Sequence, residues 1–442
     1  VLERLENDPE FPHFVLDGQA CVLEDYIHSV PEDRARIGKL VASGALAIGP
    51  WYILPDEFLV SGEATVRNLI YGRITSRRWG RAQRVGYMPD SFGHIAQLPQ
   101  LLRLAGIDSF IFTRGLGSEA EQLGWLFQWA APDTTQVLAV NQCEGYCNAG
   151  ALGHEELWHA HTRREVDPDR AVEKIGGLLA KMDSRPGSDP ILLNNGCDHF
   201  PPQRQFGQIL QALREAWPDI TFMPSRFEDF LKAARDQQND DERPQWEGEM
   251  LGGRDHPILS GVWSARMYLK QQNEQCQNLL TRQVEPLCAA ATFTQGDAWP
   301  RGLLDHAWRK LLRNHPHDSI CGCSTDAVHA DMETRFASVL QTGEQSLSRL
   351  MDRISPKFGH QDGDEADGVI TVANSLPMIR DEVIERLLIL PLEDRDPGRL
   401  QLLDDQGRAV PFHILEMRYL ERFWGIDYRS ELFVTDQLDL LD

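Results

Sequence analysis

Three stretches of this sequence gather side chains suited to bond-breaking chemistry. In "RVGYMPDSFGHIAQLPQLLRLAG" (84–106) an apolar alternation gives way to a helical pattern at Asp90, with Phe92, a glycine turn and His94 packed between. A carboxylate there either projects from a strand end into the mouth of a sheet or caps the next helix, a contribution of about 1 kcal/mol. The helical run "LLDHAWRKLLRN" ends in "HPHDSICGCSTD", which crowds His315, His317 and Asp318 beside a Cys-Gly-Cys turn. These groups can cap carbonyls or pack. Imidazole nitrogen and carboxylate oxygen are also zinc ligands, so a histidine placed opposite Asp90 could share a metal with it. In "ILLNNGCDHFPPQ" (191–203) Asp198 leaves an apolar run through Asn195-Gly196 and precedes a proline pair that fixes the exit direction. A turn aspartate satisfies nearby amides. Paired with Asp90, Asp198 supplies the second carboxylate that glycoside hydrolysis uses.

Weaker signals surround these three. "GPWYILPDE" (49–57) offers Trp51 as a flat surface for the C–H face of a sugar and Asp56 as an acceptor for hydroxyls; a core tryptophan and a turn aspartate are the plainer alternatives. Arg114 ends "SFIFTR", where it orients a carboxylate or lies on the surface. Tyr146 in "CEGYCN" is weaker still. Cys321 and Cys323 are expected to pack, because zinc sites rarely use one C-x-C without further sulfur.

Such side chains need elements that converge. Short apolar runs recur through the first half: "HFVLDG", "ALAIGPW", "RVGYMP", "SFIFTR", "VLAVNQ", "ILLNNG" and "ITFMP". Helical periods separate most of them, over Pro31 to Ser43 with Ser29 as a possible cap and Gly44 as the stop, and over roughly 62–79, 96–105, 169–182 and 203–216. Strands alternating with helices predict parallel pairing, hence an α/β barrel or a doubly wound sheet whose strand ends carry the chemistry. Asp17, Trp51, Asp90, Arg114 and Asp198 all end such runs. The polar stretch 235–250 marks a boundary; long helical runs suited to three antiparallel helices fill about 260–355, and alternating segments follow "HQDGDEADG" (360–368). The expected organisation is an α/β domain over 1–240, helices over 241–358 and the start of a β-rich domain over 359–442.

Composition narrows the function classes. With 442 residues and 42% apolar content the chain can bury a large core. The 44 basic and 67 acidic residues give a net charge of −23 without a basic run, against a nucleic-acid partner. No apolar stretch approaches the roughly 18 to 20 residues of a membrane span. The eight cysteines are irregularly spaced, which predicts reduced thiols in a cytoplasmic protein. Homo-oligomerisation stays open. The chain starts at Val1 and breaks off at Asp442 in strand-like sequence, so it is expected to be a piece of something longer.

"YMPDSFGHIAQLPQLLRLAGIDSFIFTRG", "IGPWYILPDEFLVSGEATVRNLIYG", "NNGCDHFPP" and "LLRNHPHDSICGCSTDAVH" together resemble the zinc-dependent α-mannosidases of glycoside hydrolase family 38, in their bacterial and cytosolic form. The blocks keep the family order over residues 12 to 345. The resemblance implies an irregular seven-stranded α/β barrel, a three-helix bundle and the start of a β-sandwich region. It implies a retaining exo-α-mannosidase acting on mannose-containing oligosaccharides with Zn2+. Asp90 would be nucleophile and zinc ligand, His317 a zinc ligand, Asp198 the proton donor kept protonated by a partly buried site. Arg114 would contact the nucleophile, and Trp51, Asp56, Phe92 and Asp318 would meet the sugar. Family members hold two more zinc ligands in an H-x-D motif on the first strand; no such triplet lies near the N-terminus here, and truncation is the expected reason. Two other readings use the same residues: a zinc-dependent carbohydrate deacetylase or amidohydrolase in which metal-bound water attacks, and a truncated, inactive sugar-binding relative. A phosphorylated mannosyl-glycerate would need a cationic pocket, which no Lys/Arg cluster near these blocks marks.

Overall fold

Apolar runs too short to be helices pair in the computed structural model as two sheets, with helices between them. It describes residues 1–161, 164–186, 189–358, 370–385, 389–391, 400–416, 418–420 and 431–433. β1 (Phe14–Val15) and β2 (Leu46–Ala47) pair in parallel. β3 (Gly86–Met88), β4 (Ser109–Phe112), β5 (Leu126–Ala130), β6 (Gln136–Asn141) and β7 (Gln245–Glu247) form a second sheet in the order β3-β4-β6-β5-β7.

Within that sheet β3, β4 and β6 run parallel, whereas β5 is antiparallel to β6 and parallel to β7. The sheet is therefore mixed, a correction to the all-parallel expectation. A connection of five residues cannot cross over a sheet, so β5 and β6 must form a hairpin, closed by hydrogen bonds from the Ala131 amide to the Thr135 carbonyl and from the Thr134 amide to the Ala131 carbonyl. β7 lies inside the polar stretch 235–250; it is an edge strand whose Trp246 alone gives an apolar signal, which is why the sequence reads there as a boundary. "ILLNNG" and "ITFMP" form no strand. In the first, the Asn148 side chain accepts from the Asn194 amide at 2.8 Å and donates to the Leu192 carbonyl at 3.0 Å, standing in for a ladder.

Alternate residues of the larger sheet feed two cores, as strand geometry requires. Tyr87, Ile111, Leu138 and Val140 pack with helices Pro168–Met182, Phe206–Ala216 and Phe227–Gln237. Met88, Phe110, Phe112 and Ala139 pack on the other side with helix Leu98–Leu104. Burial of both faces explains the unbroken apolar run "SFIF". Gly44 ends helix Arg34–Ser43 in the left-handed conformation, as expected, but Ser29 closes the preceding helix Cys21–Ser29 instead of capping the next.

Helix Gly62–Ser76 is seated against the chain that leads into the site. Asn68 accepts from the Tyr52 and Ile53 amides through Oδ1, at 2.8 and 3.1 Å, and donates to the Ile53 carbonyl at 2.8 Å. One turn on, a methyl on Gly72 would meet the Pro50 carbonyl oxygen at 2.0 Å and the Trp51 carbonyl carbon at 2.4 Å. Gly72→Ala is expected to destabilise the protein by about 3 kcal/mol, read as a lowered unfolding midpoint in calorimetry; an unchanged midpoint would contradict this packing.

The helices after the sheet serve the same site. Trp308, Leu312 and Phe336, from Arg301–Leu312 and Asp326–Phe358, share a core with Tyr52 and Tyr71. Two compact units result, Val1–Thr281 with Pro300–Gly343, and Arg282–Trp299 with Glu344–Asp442. In the second, Ile389–Pro391, Arg418–Leu420 and Glu431–Phe433 form an antiparallel sheet, and Leu402–Leu403 pairs with Ala409–Val410. Residues 370–377 of the alternating segment "VITVANSLP" (369–377) are not in a strand, and the turn segment 360–368 lies outside the described residues.

Candidate active site

β3 ends at Met88 and releases Asp90 into the open end of the sheet; β4 likewise releases Arg114. Their parallel pairing puts the two side by side. Arg114 Nε and Nη2 donate to Asp90 Oδ1 at 2.7 and 2.6 Å, while Nη1 donates to the Pro257 carbonyl at 2.5 Å. The other oxygen, Oδ2, faces His317 Nε2 at 3.5 Å. Burial pushes the Asp90 carboxyl up, but the His317 hydrogen bond and the Arg114 charge outweigh it and hold the group below its ordinary value. For His317, burial acts downward and Asp90 and Asp318 act upward more strongly, so its imidazole rises to about 9.

Sequence and packing fix that imidazole. Pro316 precedes the short helix His317–Cys321, and the Leu54 carbonyl accepts from the His317 amide at 3.0 Å and from Nδ1 at 3.3 Å. With Nδ1 donating, Nε2 is left to face Asp90. Phe92 stands edge-on to the ring at 5.7 Å and lies beneath the Arg114 guanidinium at 5.5 Å. His315 points away; it is fully buried, its Nε2 meets Asn273 Oδ1 at 2.7 Å, and burial drives its pKa down to about 3.

Packing accounts for His94. His94 is completely buried, with Nδ1 2.6 Å from Glu57 Oε1, and Phe110, Phe112 and Trp129 stand around its ring. Glu57 Oε2 accepts from the Ile95 amide at 2.9 Å, and the His94 backbone exchanges two hydrogen bonds with Met250. The pair anchors the Asp90 loop from below.

Asp198 reaches the site by another route. Tyr146 donates from its hydroxyl to Asp198 Oδ2 at 2.8 Å. Burial, then the Asp90 charge, then that hydrogen bond raise the Tyr146 pKa, so this one phenol senses both carboxylates. The adjoining residues Cys147 and Cys197 form a disulfide, which corrects the expectation of eight reduced thiols. Its partners lie 50 residues apart, a pairing that local spacing cannot reveal. Closing a loop of that length contributes about 4 kcal/mol in the chain-entropy account. Reduction, or Cys147→Ser with Cys197→Ser, is expected to lower the unfolding midpoint and the activity together; a double variant as stable and active as the wild type would contradict a closed disulfide.

Several candidates differ from expectation. Trp51 is fully buried in the core with Leu54, Leu69 and Met88, so it offers no face to a sugar. Asp56 is equally buried; its Oδ1 accepts from the Phe58 amide at 3.1 Å, and burial pushes its carboxyl up to about 6. Phe92 is 2% exposed and supports His317 and Arg114 instead of lining an open surface. Asp198 is exposed, not partly buried. Asp318 is exposed with Oδ2 3.8 Å from His317 Nε2, while Cys323, expected to pack, is exposed and donates to Asp318 Oδ1 at 3.3 Å. Cys321 does pack, against Phe92 and Val262.

The donors fit a metal. Two atoms bound at about 2.1 Å to one tetrahedral zinc stand roughly 3.4 Å apart, close to the 3.5 Å between Asp90 Oδ2 and His317 Nε2. Nδ1 donating to a carbonyl is the outer support that metal-binding histidines use. Asp318, Cys321 and Cys323 also bring one donor atom each within 4.8 Å of one another.

Comparison with known proteins agrees with this arrangement of elements. The alpha mannosidase middle domain model matches residues 258–354. A protein of Halalkalibacterium halodurans named putative mannosylglycerate hydrolase is 36% identical over 352 residues, covering 77% of this chain and 38% of the relative. Human alpha-mannosidase 2C1 is 23% identical over 391 residues, covering 87% of this chain and 34% of the relative. The crystal structure of an alpha-mannosidase from Enterococcus faecalis superposes with a TM-score of 0.80 at 30% identity, over 98% of this chain and 50% of that one. The chain thus spans half or less of the length of these relatives. The model of the glycosyl hydrolases family 38 N-terminal domain matches residues 1–249, more than half of the 442, and the chain belongs to that family.

Proposed function

We propose that the full-length protein is a retaining exo-α-mannosidase that hydrolyses α-mannosidic bonds of oligosaccharides, with zinc at the Asp90 and His317 donors. The observation that carries this reading is the two-sided grip on Asp90: Arg114 on one oxygen and His317 Nε2 3.5 Å from the other. A nucleophile must stay ionised and aimed, and both neighbours favour the charged form.

In the first step Asp90 attacks the anomeric carbon. The bond from that carbon to the leaving oxygen breaks as Asp198 delivers its proton to the oxygen. In the second step Asp198 accepts a proton from water, whose oxygen bonds to the anomeric carbon and frees Asp90. Tyr146 keeps the Asp198 carboxyl facing the cleft through its hydroxyl, and Asp318 accepts a sugar hydroxyl. When bound, zinc would supply Lewis-acid binding of ring hydroxyls. The two sheets would be parts of the family's seven-stranded barrel, and the helices from 267 onward its three-helix bundle.

Incubating the full-length protein with an aryl α-mannoside and with an acetylated sugar tests the reaction class. Release of the aryl alcohol is expected, with the α anomer of the sugar formed first by NMR. Release of acetate alone would overturn the reading in favour of a deacetylase.

A further inference from the structure

Asp17 is a third carboxylate at this site, and the roles above do not use it. It follows β1 with a left-handed backbone, φ 41°, uncommon for a residue with a side chain. The side chain is exposed to solvent. Burial nevertheless pushes its carboxyl up to about 6, the Gln19 hydrogen bond opposes this, and Asp198, His317 and Asp90 act on it in that order. The charge that acts on it most is that of the proposed proton donor.

The carboxylate is also aimed. Gln19 Nε2 donates to Asp17 Oδ2 at 2.8 Å, and Gln19 Oε1 accepts from the Leu54 amide at 3.1 Å. The Leu54 carbonyl in turn holds His317. One short network therefore fixes Asp17 relative to the imidazole, while Asp17 Oδ1 has no hydrogen-bond partner among the described residues. Arg114 is paired with Asp90, Lys181 with Glu144, and Arg185 with Asp255 at 2.8 Å. His256, beside Arg114, is held neutral, burial and that guanidinium both lowering its pKa.

Resting on the mannosidase reading, we propose that Asp17 Oδ1 accepts a hydroxyl of the leaving group, and that its charge makes the cleft select neutral polyhydroxylated leaving groups over carboxylate-bearing ones. A free hydroxyl donor satisfies the unpaired oxygen, whereas a second carboxylate placed at that oxygen would meet like charge.

The test compares kcat/KM of the full-length protein for α-mannobiose, an α-mannosyl glycerate and 4-nitrophenyl α-mannoside. The wild type is expected to prefer the disaccharide to the glycerate. Asp17→Asn is expected to narrow that ratio at least tenfold and to lose at least fivefold more on the disaccharide than on the nitrophenyl substrate. Asp17→Glu, which restores the charge, is expected to bring the ratio back to within threefold of wild type. Equal losses on all three substrates, or an unchanged ratio, would overturn the Asp17 assignment alone. A wild-type protein that releases sugar from none of the three would overturn the mannosidase reading as well.

Discussion

Replacing Asp90 by alanine in the full-length protein is expected to lower kcat/KM for an α-mannoside by roughly 10⁴-fold or more, the scale on which enzymes lose activity when a nucleophile is removed. The effect is this large because, in the proposed mechanism, one residue both performs the attack and offers a metal donor. Its loss leaves Arg114 still bonded to the Pro257 carbonyl and the His94–Glu57 pair still anchoring the loop. The fold is therefore expected to survive, checked by an unchanged circular-dichroism spectrum. Asp90→Ala protein supplied with azide should form the mannosyl azide of opposite anomeric configuration, because the small anion occupies the vacated space. Full activity in a folded Asp90→Ala variant would remove the basis of the mechanism.

Asp198→Asn is expected to lose about 10² to 10⁴-fold in kcat on a disaccharide, the usual contribution of general acid catalysis. A nitrophenyl leaving group needs no proton, so glycosyl transfer from that substrate should fall far less. Equal losses on both substrates would reassign Asp198 to binding. Tyr146→Phe, which removes only the donor to Asp198 Oδ2, should reproduce a small part of this loss.

The strand-end residues were legible because a sheet delivers its loops to one edge. Asp90 and Arg114 follow neighbouring parallel strands, so their meeting needed only strand order. His317 was legible as chemistry but not as a neighbour, since its place depends on Pro316 and on a carbonyl of Leu54 more than 260 residues away. Exposure was not legible. Trp51 and Asp56 lie in a segment rich in site residues, and contacts of the folded chain, such as those of Trp51 with Leu69 and Met88, bury their side chains. Tyr146 and Asp17 carry little signal for the opposite reason: their local sequence is ordinary, and the disulfide and the Gln19 amide beside them are contacts of the folded chain. β5 and β7 escaped because a hairpin and a polar edge both break the strand-helix rhythm.

Asp90 as the atom donor to carbon is the claim on which the rest depends. Treating the full-length protein with a fluorinated mannosyl fluoride that arrests the second step, then mapping the labelled peptide by mass spectrometry, tests it most directly. The predicted result is one glycosyl unit attached to Asp90, in the peptide that contains "GYMPD". Label on another residue, or turnover with inversion and no trapped species, would contradict it.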